Sequence, residues 1–377
     1  FFFLLLIVLC KTVHAQQIIS HSKQSFAIYV GQTAKIVVNT DTKPLNREWV
    51  LGEKVIGRGS EFDTPQDWAS GYYYLVHLII YPKGEGPFPL VMVSHSSWGP
   101  EEFYSKWMTW HKRQAKKLQK KGIATMFIDH FTARDQLGST AGNQFTVNIW
   151  SQFLDPFIAL EYLSKNPKIN IKKVGIQGGS RGGMVSILAS EKRLRDALIS
   201  KDLYFAAAQP LYPDCEDVGM FRNPQPIKET KTWMILGGSD NYTRAEPCVE
   251  LGKKIKANGG DIIVDVKKGW RHDFIGNYEV EDMEYAQIFW KCPKWYTEDD
   301  GKMSKSYMDF LLEYVDRWET EEDFYKMSRE DPLRTLKFSF DPYNFSGCMF
   351  TGAKGGGDKG KLIYRKNIKF WEENLLK

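Results

Sequence analysis

Residues 172–190 read KKVGIQGGSRGGMVSILAS, an apolar run that meets a cluster of glycines around Ser180 and passes at once into a helical pattern. This order sets Ser180 on a sharp turn between a strand and a helix. Such a turn holds the serine in strained backbone geometry and brings neighbouring chain within contact distance. Only a residue without Cβ tolerates that approach, hence Gly178 and Gly182 on either side. The turn also puts Ser180 at the positive end of a helix, where the N–H of Arg181 faces any oxyanion that develops there. A glycine-rich turn that merely packs a helix against a strand would read the same, so the partners of Ser180 decide.

Outward from this turn, short apolar runs alternate with amphipathic ones, the pattern of βαβ units around a mostly parallel sheet with helices on both faces. The predicted strands are 72–81, 88–95, 123–129, 172–177, 204–209, 232–237 and 261–267. Most are apolar almost throughout, as strands covered on both faces should be. The turn-rich PKGEGP between the first two predicts an antiparallel pair. In residues 101–122, Phe103, Trp107, Met108, His111, Ala115 and Leu118 share one helix face, and Gly122 ends the run. His111 reads as half-buried on that face and not as a catalytic group. In residues 147–167, Ile149, Phe153, Phe157, Leu160 and Leu163 share a face, with Pro156 expected to kink or restart the helix.

A serine hydroxyl is a weak nucleophile until a base takes its proton, usually a histidine held in one tautomer by a carboxylate. In a sheet of this kind the partners follow in the order serine, acid, histidine, on loops after later strands. The strand TWMILG runs into GSDNYT, giving Asp240, and DIIVDVK runs into KGWRHDF, giving His272. Both lie past the C-terminal ends of strands, where open parallel sheets place their sites. Asp240 could instead cap its own turn, leaving Asp214 or Asp273 as the acid. Among the other histidines, His14, His21, His77, His95, His111 and His130 all precede Ser180. A second oxyanion donor is expected from the backbone of Ser96 or Ser97 after the strand at 88–95, with Ser97 preferred; both could also be plain loop residues.

The remaining signals bound the protein class. FFFLLLIVLC, Lys11 and then Val13-His14-Ala15 read as a signal peptide over 1–15, too short for a spanning helix, so export to a periplasm or medium without a stable membrane anchor is expected. Residues 16–65 form a β-rich or irregular lead-in, with SFAIYVGQTAKIVV as a hairpin, before a core over 66–275. With 42% hydrophobic and 26% charged residues the chain is globular and not disordered. Its net charge of +5 is mild, and the lysines at 116, 117, 120 and 121 and at 253, 254 and 256 read as solvated helix faces, so no nucleic-acid partner is expected. Cys215, Cys248, Cys292 and Cys348 allow three disulfide pairings, and no spacing suggests zinc. Residues 276–350, rich in Trp and Tyr, read as an insertion whose aromatics near 286–325 could wall a ligand pocket as a lid, or equally form exposed helices or a dimer contact. Residues 351–377 then supply a glycine-rich stretch and a last helix completing the core.

Taken together, PFPLVMVSHSSWG, FIDHFTARDQ, VGIQGGSRGGM, LYPDC, GGSDNYTRAEPC and GWRHDF resemble the α/β-hydrolase fold and, more narrowly, the dienelactone hydrolase family, over roughly Tyr72 to Ile275. The resemblance implies hydrolysis without cofactor or metal, by Ser180, His272 and Asp240. This chain has Ser180 where the family's namesakes use cysteine, and His95-Ser96 where His-Gly is usual. Small carboxylic esters are therefore the expected substrates, rather than dienelactones. Exported relatives often carry cysteines in the LYPDC and AEPC motifs, which implies a Cys215–Cys248 bridge and with it Cys292–Cys348. Two other readings remain: a peptidase resembling the prolyl oligopeptidase group, though the chain lacks length for a propeller, and an inactive hydrolase fold used for binding.

Overall fold

The apolar runs flanking Ser180 become the middle of one twisted sheet. The computed structural model describes residues 34–39, 73–99, 109–131, 144, 149–216, 218–299, 302–314, 319–330 and 347–377. The expected signal peptide at 1–15, most of the 16–65 lead-in, and Phe103, Trp107 and Met108 lie outside them. Among the described residues, eight strands form the main sheet: β1 (Ala34–Asn39), β2 (Tyr73–Ile80), β3 (Phe88–Ser94), β4 (Ala124–Asp129), β5 (Ile169–Gly179), β6 (Ala207–Leu211), β8 (Lys231–Gly237) and β9 (Asp261–Lys267). Their spatial order is β1-β2-β4-β3-β5-β6-β8-β9. From β4 to β9 every pairing is parallel, while β2 runs antiparallel to β4 and parallel to β1. This order, with a strand-to-helix turn in mid-sheet, is that of the α/β-hydrolase fold.

The near-continuous apolar strands are explained by two cores. On β3, Leu90 and Met92 face one core and Val91 and Val93 the other. The first core is covered by α2 (Ile149–Leu163), α3 (Arg181–Leu188), α4 (Lys192–Leu198) and α5 (Ala245–Ala257), the second by α1 (Thr109–Lys120) and α8 (Gly360–Leu375). Phe153, Phe157, Leu160 and Leu163 of α2 are fully buried in the first core. That burial carries the helix unbroken through Pro156, against the expected restart.

Two further expectations are corrected, the pairing of strands across PKGEGP and the burial of His111. PKGEGP reverses the chain but does not pair its flanking strands, because β4 enters between β2 and β3 and hydrogen-bonds to both. Insertion of β4, itself buried along its whole length, gives β3 parallel partners on both sides. A turn-rich spacer fixes a change of direction, whereas adjacency depends on distant residues. The second half of the lead-in hairpin is the edge strand β1, paired to β2; its first half lies outside the described residues. His111 is fully buried rather than half-buried, in a polar seam where Gln114 and Gln177 exchange hydrogen bonds of 2.6 and 3.1 Å.

After Ile275 come β10 (Glu281–Ile288), β11 (Trp295–Thr297), α6 (Lys305–Tyr314), α7 (Glu321–Glu330) and β12 (Phe350–Gly355). β10 pairs antiparallel with β12, and β11 pairs parallel with β7 (Val218–Phe221). Among the segment's described aromatics, three serve the core: Trp295 stacks on Tyr307 at 5.4 Å, and both are buried with Phe324 in the first core. Cys292–Cys348 bridges this segment, and Cys215–Cys248 joins the loop after β6 to α5. Among the described residues, no helix is long and apolar enough to cross a membrane.

On the opposite face, Trp371 of α8 lies fully buried over Gly175, where a Cβ would stand 2.4 Å from the indole. Replacing Trp371 by Ala leaves a large cavity against β5, and the expected cost is about 3–5 kcal/mol, read from the urea unfolding midpoint.

Candidate active site

β5 ends at Gly179, α3 begins at Arg181, and Ser180 between them has φ of 55° and ψ of −121°. Holding a serine there costs about 1–3 kcal/mol. The complete burial of α3 offsets it, since all eight helix residues from Arg181 to Leu188 are buried. Ser180 donates its N–H to the Leu211 carbonyl at 2.9 Å, which anchors the turn to β6. The reason for the flanking glycines is steric. A Cβ on Gly182 would lie 2.4 Å from the Ser94 carbonyl oxygen, and one on Gly178 would lie 2.4 Å from the Gly182 oxygen.

Three loops at the C-terminal end of the sheet converge on Ser180. His272, after β9, sets Nε2 2.9 Å from Ser180 Oγ and Nδ1 2.8 Å from Asp240 Oδ2. The carboxylate can only accept, so the ring proton sits on Nδ1 and Nε2 is left to accept the serine proton. Asp240, after β8, also caps its own turn, since Oδ1 accepts the N–H groups of Tyr242 and Thr243 at 2.8 and 3.0 Å. The two readings of Asp240 are therefore compatible: one oxygen fixes the loop and the other fixes the ring.

The alternative acids are engaged elsewhere. Asp273 accepts from the hydroxyls of Tyr212 and Tyr278 at 2.9 and 2.6 Å, and Asp214 accepts the Glu216 N–H at 2.9 Å. His130 lies 2.7 Å from Asp155, and His95 lies 2.8 Å from the Ser96 carbonyl. His14 and His21, like the side chain of His77, are outside the described residues.

A cleft of about 60 Å³ opens beside Ser180. Ser97, Arg181, Met184 and Asp214 line it with Ile149, Tyr242 and Thr243. Ser97 stands on this wall with its hydroxyl donating to Gln144 Oε1 at 2.8 Å, whereas Ser96 is turned into the loop, its Oγ accepting the Trp98 N–H at 3.2 Å.

Sequence reasoning missed several of these groups. The Arg181 side chain is 2% exposed, donating from Nε to Gln152 at 2.6 Å and from Nη1 to the Gln144 carbonyl at 2.6 Å. Tyr242 packs its ring 4.7 Å from that of His272, and burial pushes its phenol well above the usual value, so it stays neutral and accepts from Gln144 at 2.9 Å. Gln287 and Phe289 reach the cleft from the segment after Ile275, and Gln287 accepts the Gln144 N–H at 3.1 Å. The glycine-rich stretch also has a place: Gly356 donates to the His272 carbonyl at 2.8 Å, and Lys359 and Gly360 both donate to that of Phe274. An arginine inside an otherwise uncharged helical run was the one available signal for the first of these. Run-on glycines at 355–357 hinted at a close approach for the last.

No family model matches the chain. A protein of Aquifex pyrophilus described as Protein usf is 23% identical over 242 residues, covering 62% of this chain and 95% of that protein. Among solved structures, the thermophilic esterase 2 of Thermogutta terrifontis aligns at 15% identity over 54% of this chain and 79% of that one, with a TM-score of 0.41. Its butyrate-bound form gives 15% identity, 54% and 81% coverage, and a TM-score of 0.40.

Gly182 meets backbone on both β3 and the loop after it, so no side-chain movement can make room for a methyl group. Gly182→Ala is expected to lower stability by about 1–3 kcal/mol through overpacking, visible as a lower urea midpoint at unchanged slope.

Proposed function

We propose that this protein is a serine hydrolase that cleaves small carboxylic esters through an acyl-enzyme. The observation that carries the reading is the unbroken hydrogen-bonded line from Asp240 through His272 to Ser180, with Ser180 on a strained turn beside a cleft. Ser180 attacks the ester carbonyl while His272 Nε2 takes its proton, and Asp240 orients the ring and stabilises its cation. The N–H groups of Arg181, at the helix start, and of Ser97, on the opposite wall, hold the oxyanion. His272 then passes its proton to the leaving alcohol, and water repeats the sequence to release the acid.

Within that class the motifs resemble the dienelactone hydrolase family, with serine in place of cysteine. Gln287 and Phe289, from the segment after Ile275, wall the cleft and bound the space open to the acyl or alcohol group. Export is part of the reading, because disulfides such as Cys215–Cys248 and Cys292–Cys348 persist in oxidising compartments.

A fluorophosphonate probe is expected to label the wild-type protein and to fail on Ser180→Ala and His272→Ala. Asp240→Asn, which leaves the ring in the wrong tautomer, should lower kcat for p-nitrophenyl acetate by about 10⁴. A folded wild-type protein that takes no label overturns the proposal.

A further inference from the structure

Behind the cleft the polar interior repeats the chemistry of its front. Ser94, the last residue of β3, sets Oγ 2.9 Å from His130 Nε2, and His130 Nδ1 lies 2.7 Å from Asp155 Oδ2. Ser94 and His130 are fully buried and Asp155 is 1% exposed. This is a second serine–histidine–carboxylate line, drawn from β3, the end of β4 and α2. Ser94 sits on a strand, without the turn that lifts Ser180 to the cleft, and it is not among the residues that line the cleft. The line is therefore not a second nucleophile.

Its neighbours show what it holds. His95 accepts the His130 N–H on Nε2 at 3.0 Å, so its own ring proton sits on Nδ1 and is donated to the Ser96 carbonyl at 2.8 Å. One turn before Asp155 on α2, Gln152 donates to the His95 carbonyl at 3.2 Å and accepts from Arg181 Nε at 2.6 Å. Ser94 and His95 are thus held by directional bonds from His130, just past β4, and from Gln152 of α2. The carbonyls of Ser94 and His95 are the atoms on which the turn rests, 2.4 and 2.7 Å from where a Gly182 Cβ would stand.

We propose that Ser94, His130 and Asp155 form a positioning relay that fixes the loop bearing Ser97 relative to Ser180, and so sets the geometry of the oxyanion site. Apolar residues of similar volume would fill the same space without the cost of burying a carboxylate, which is several kcal/mol before pairing. What they would lack is direction. A hydrogen-bonded network permits one arrangement, and a displacement of about 1 Å at a reacting centre costs on the order of 100-fold in rate. The catalytic half of this inference rests on the esterase reading; the positional half does not.

The test uses the full-length protein carrying His130→Phe, Ser94→Ala or Asp155→Asn, with two readouts. Hydrogen exchange by mass spectrometry should show the amides of residues 94–99 exchanging at least about tenfold faster in His130→Phe, with β5 unchanged. Hydrolysis of p-nitrophenyl acetate should show kcat falling by about 30- to 100-fold with KM within about twofold. Asp155→Asn, which keeps the side-chain volume but not the charge, should change both readouts with the same sign and to a smaller extent. Should His130→Phe not fold, Ser94→Ala removes a single hydroxyl and carries the same readouts with smaller changes of the same sign. Unchanged exchange over 94–99 overturns the proposal, as does a fall in kcat without any change in exchange. If the wild-type protein shows no Ser180-dependent hydrolysis, the esterase reading falls alone, and the exchange experiment still decides the relay.

Discussion

The constraint on which the structure depends is a backbone contact. At the turn after β5, the chain at Gly178 and Gly182 lies against the Ser94 carbonyl with no room for a single methyl group. That contact presses α3 against β3 and β5 together and sets the direction in which Ser180 leaves the sheet. Strain at Ser180 is the local cost, and burial of α3 from end to end is what keeps it. The loops carrying Asp240 and His272 take their positions from the same sheet, whose parallel strands all end on that side.

Much of this was legible in the sequence because the relevant signals are local. Doubly covered strands announce themselves as apolar runs, so β8 and β9 fall within a residue of their expected limits. Glycines around a serine announce a tight turn. The partners Asp240 and His272 follow from chain order, which the fold constrains. Adjacency of strands is a different kind of fact: nothing in PKGEGP records that β4 will enter between β2 and β3. Polar lining is equally silent, because a Gln144 or Gln287 looks in sequence like any solvated amide.

Composition does not separate a wall from a core. The aromatic run after Ile275 offered a ligand wall, exposed helices or a dimer contact; among its described residues, Trp295, Tyr307 and Phe324 are interior and Phe289 reaches the cleft. Large rings bury well wherever a second layer of chain has to adhere to a first. The histidines show another limit, since order relative to Ser180 says that His111 and His130 are not its base but says nothing of what they do instead. Both are buried: His111 lies with Nδ1 3.4 Å from Gln177 Nε2, and His130 bonds Asp155 with one ring nitrogen and Ser94 with the other.

The hydrogen bonds that Gly356, Lys359 and Gly360 make to the carbonyls of His272 and Phe274 join the His272 loop to a distant stretch of chain. His272 is thus held from two sides, by the loop after β9 and by a strap at 356–360. The stiffness of this corner of the cleft is supplied by residues outside the Asp240–His272–Ser180 line, so a change in the strap reaches that line only by loosening the loop.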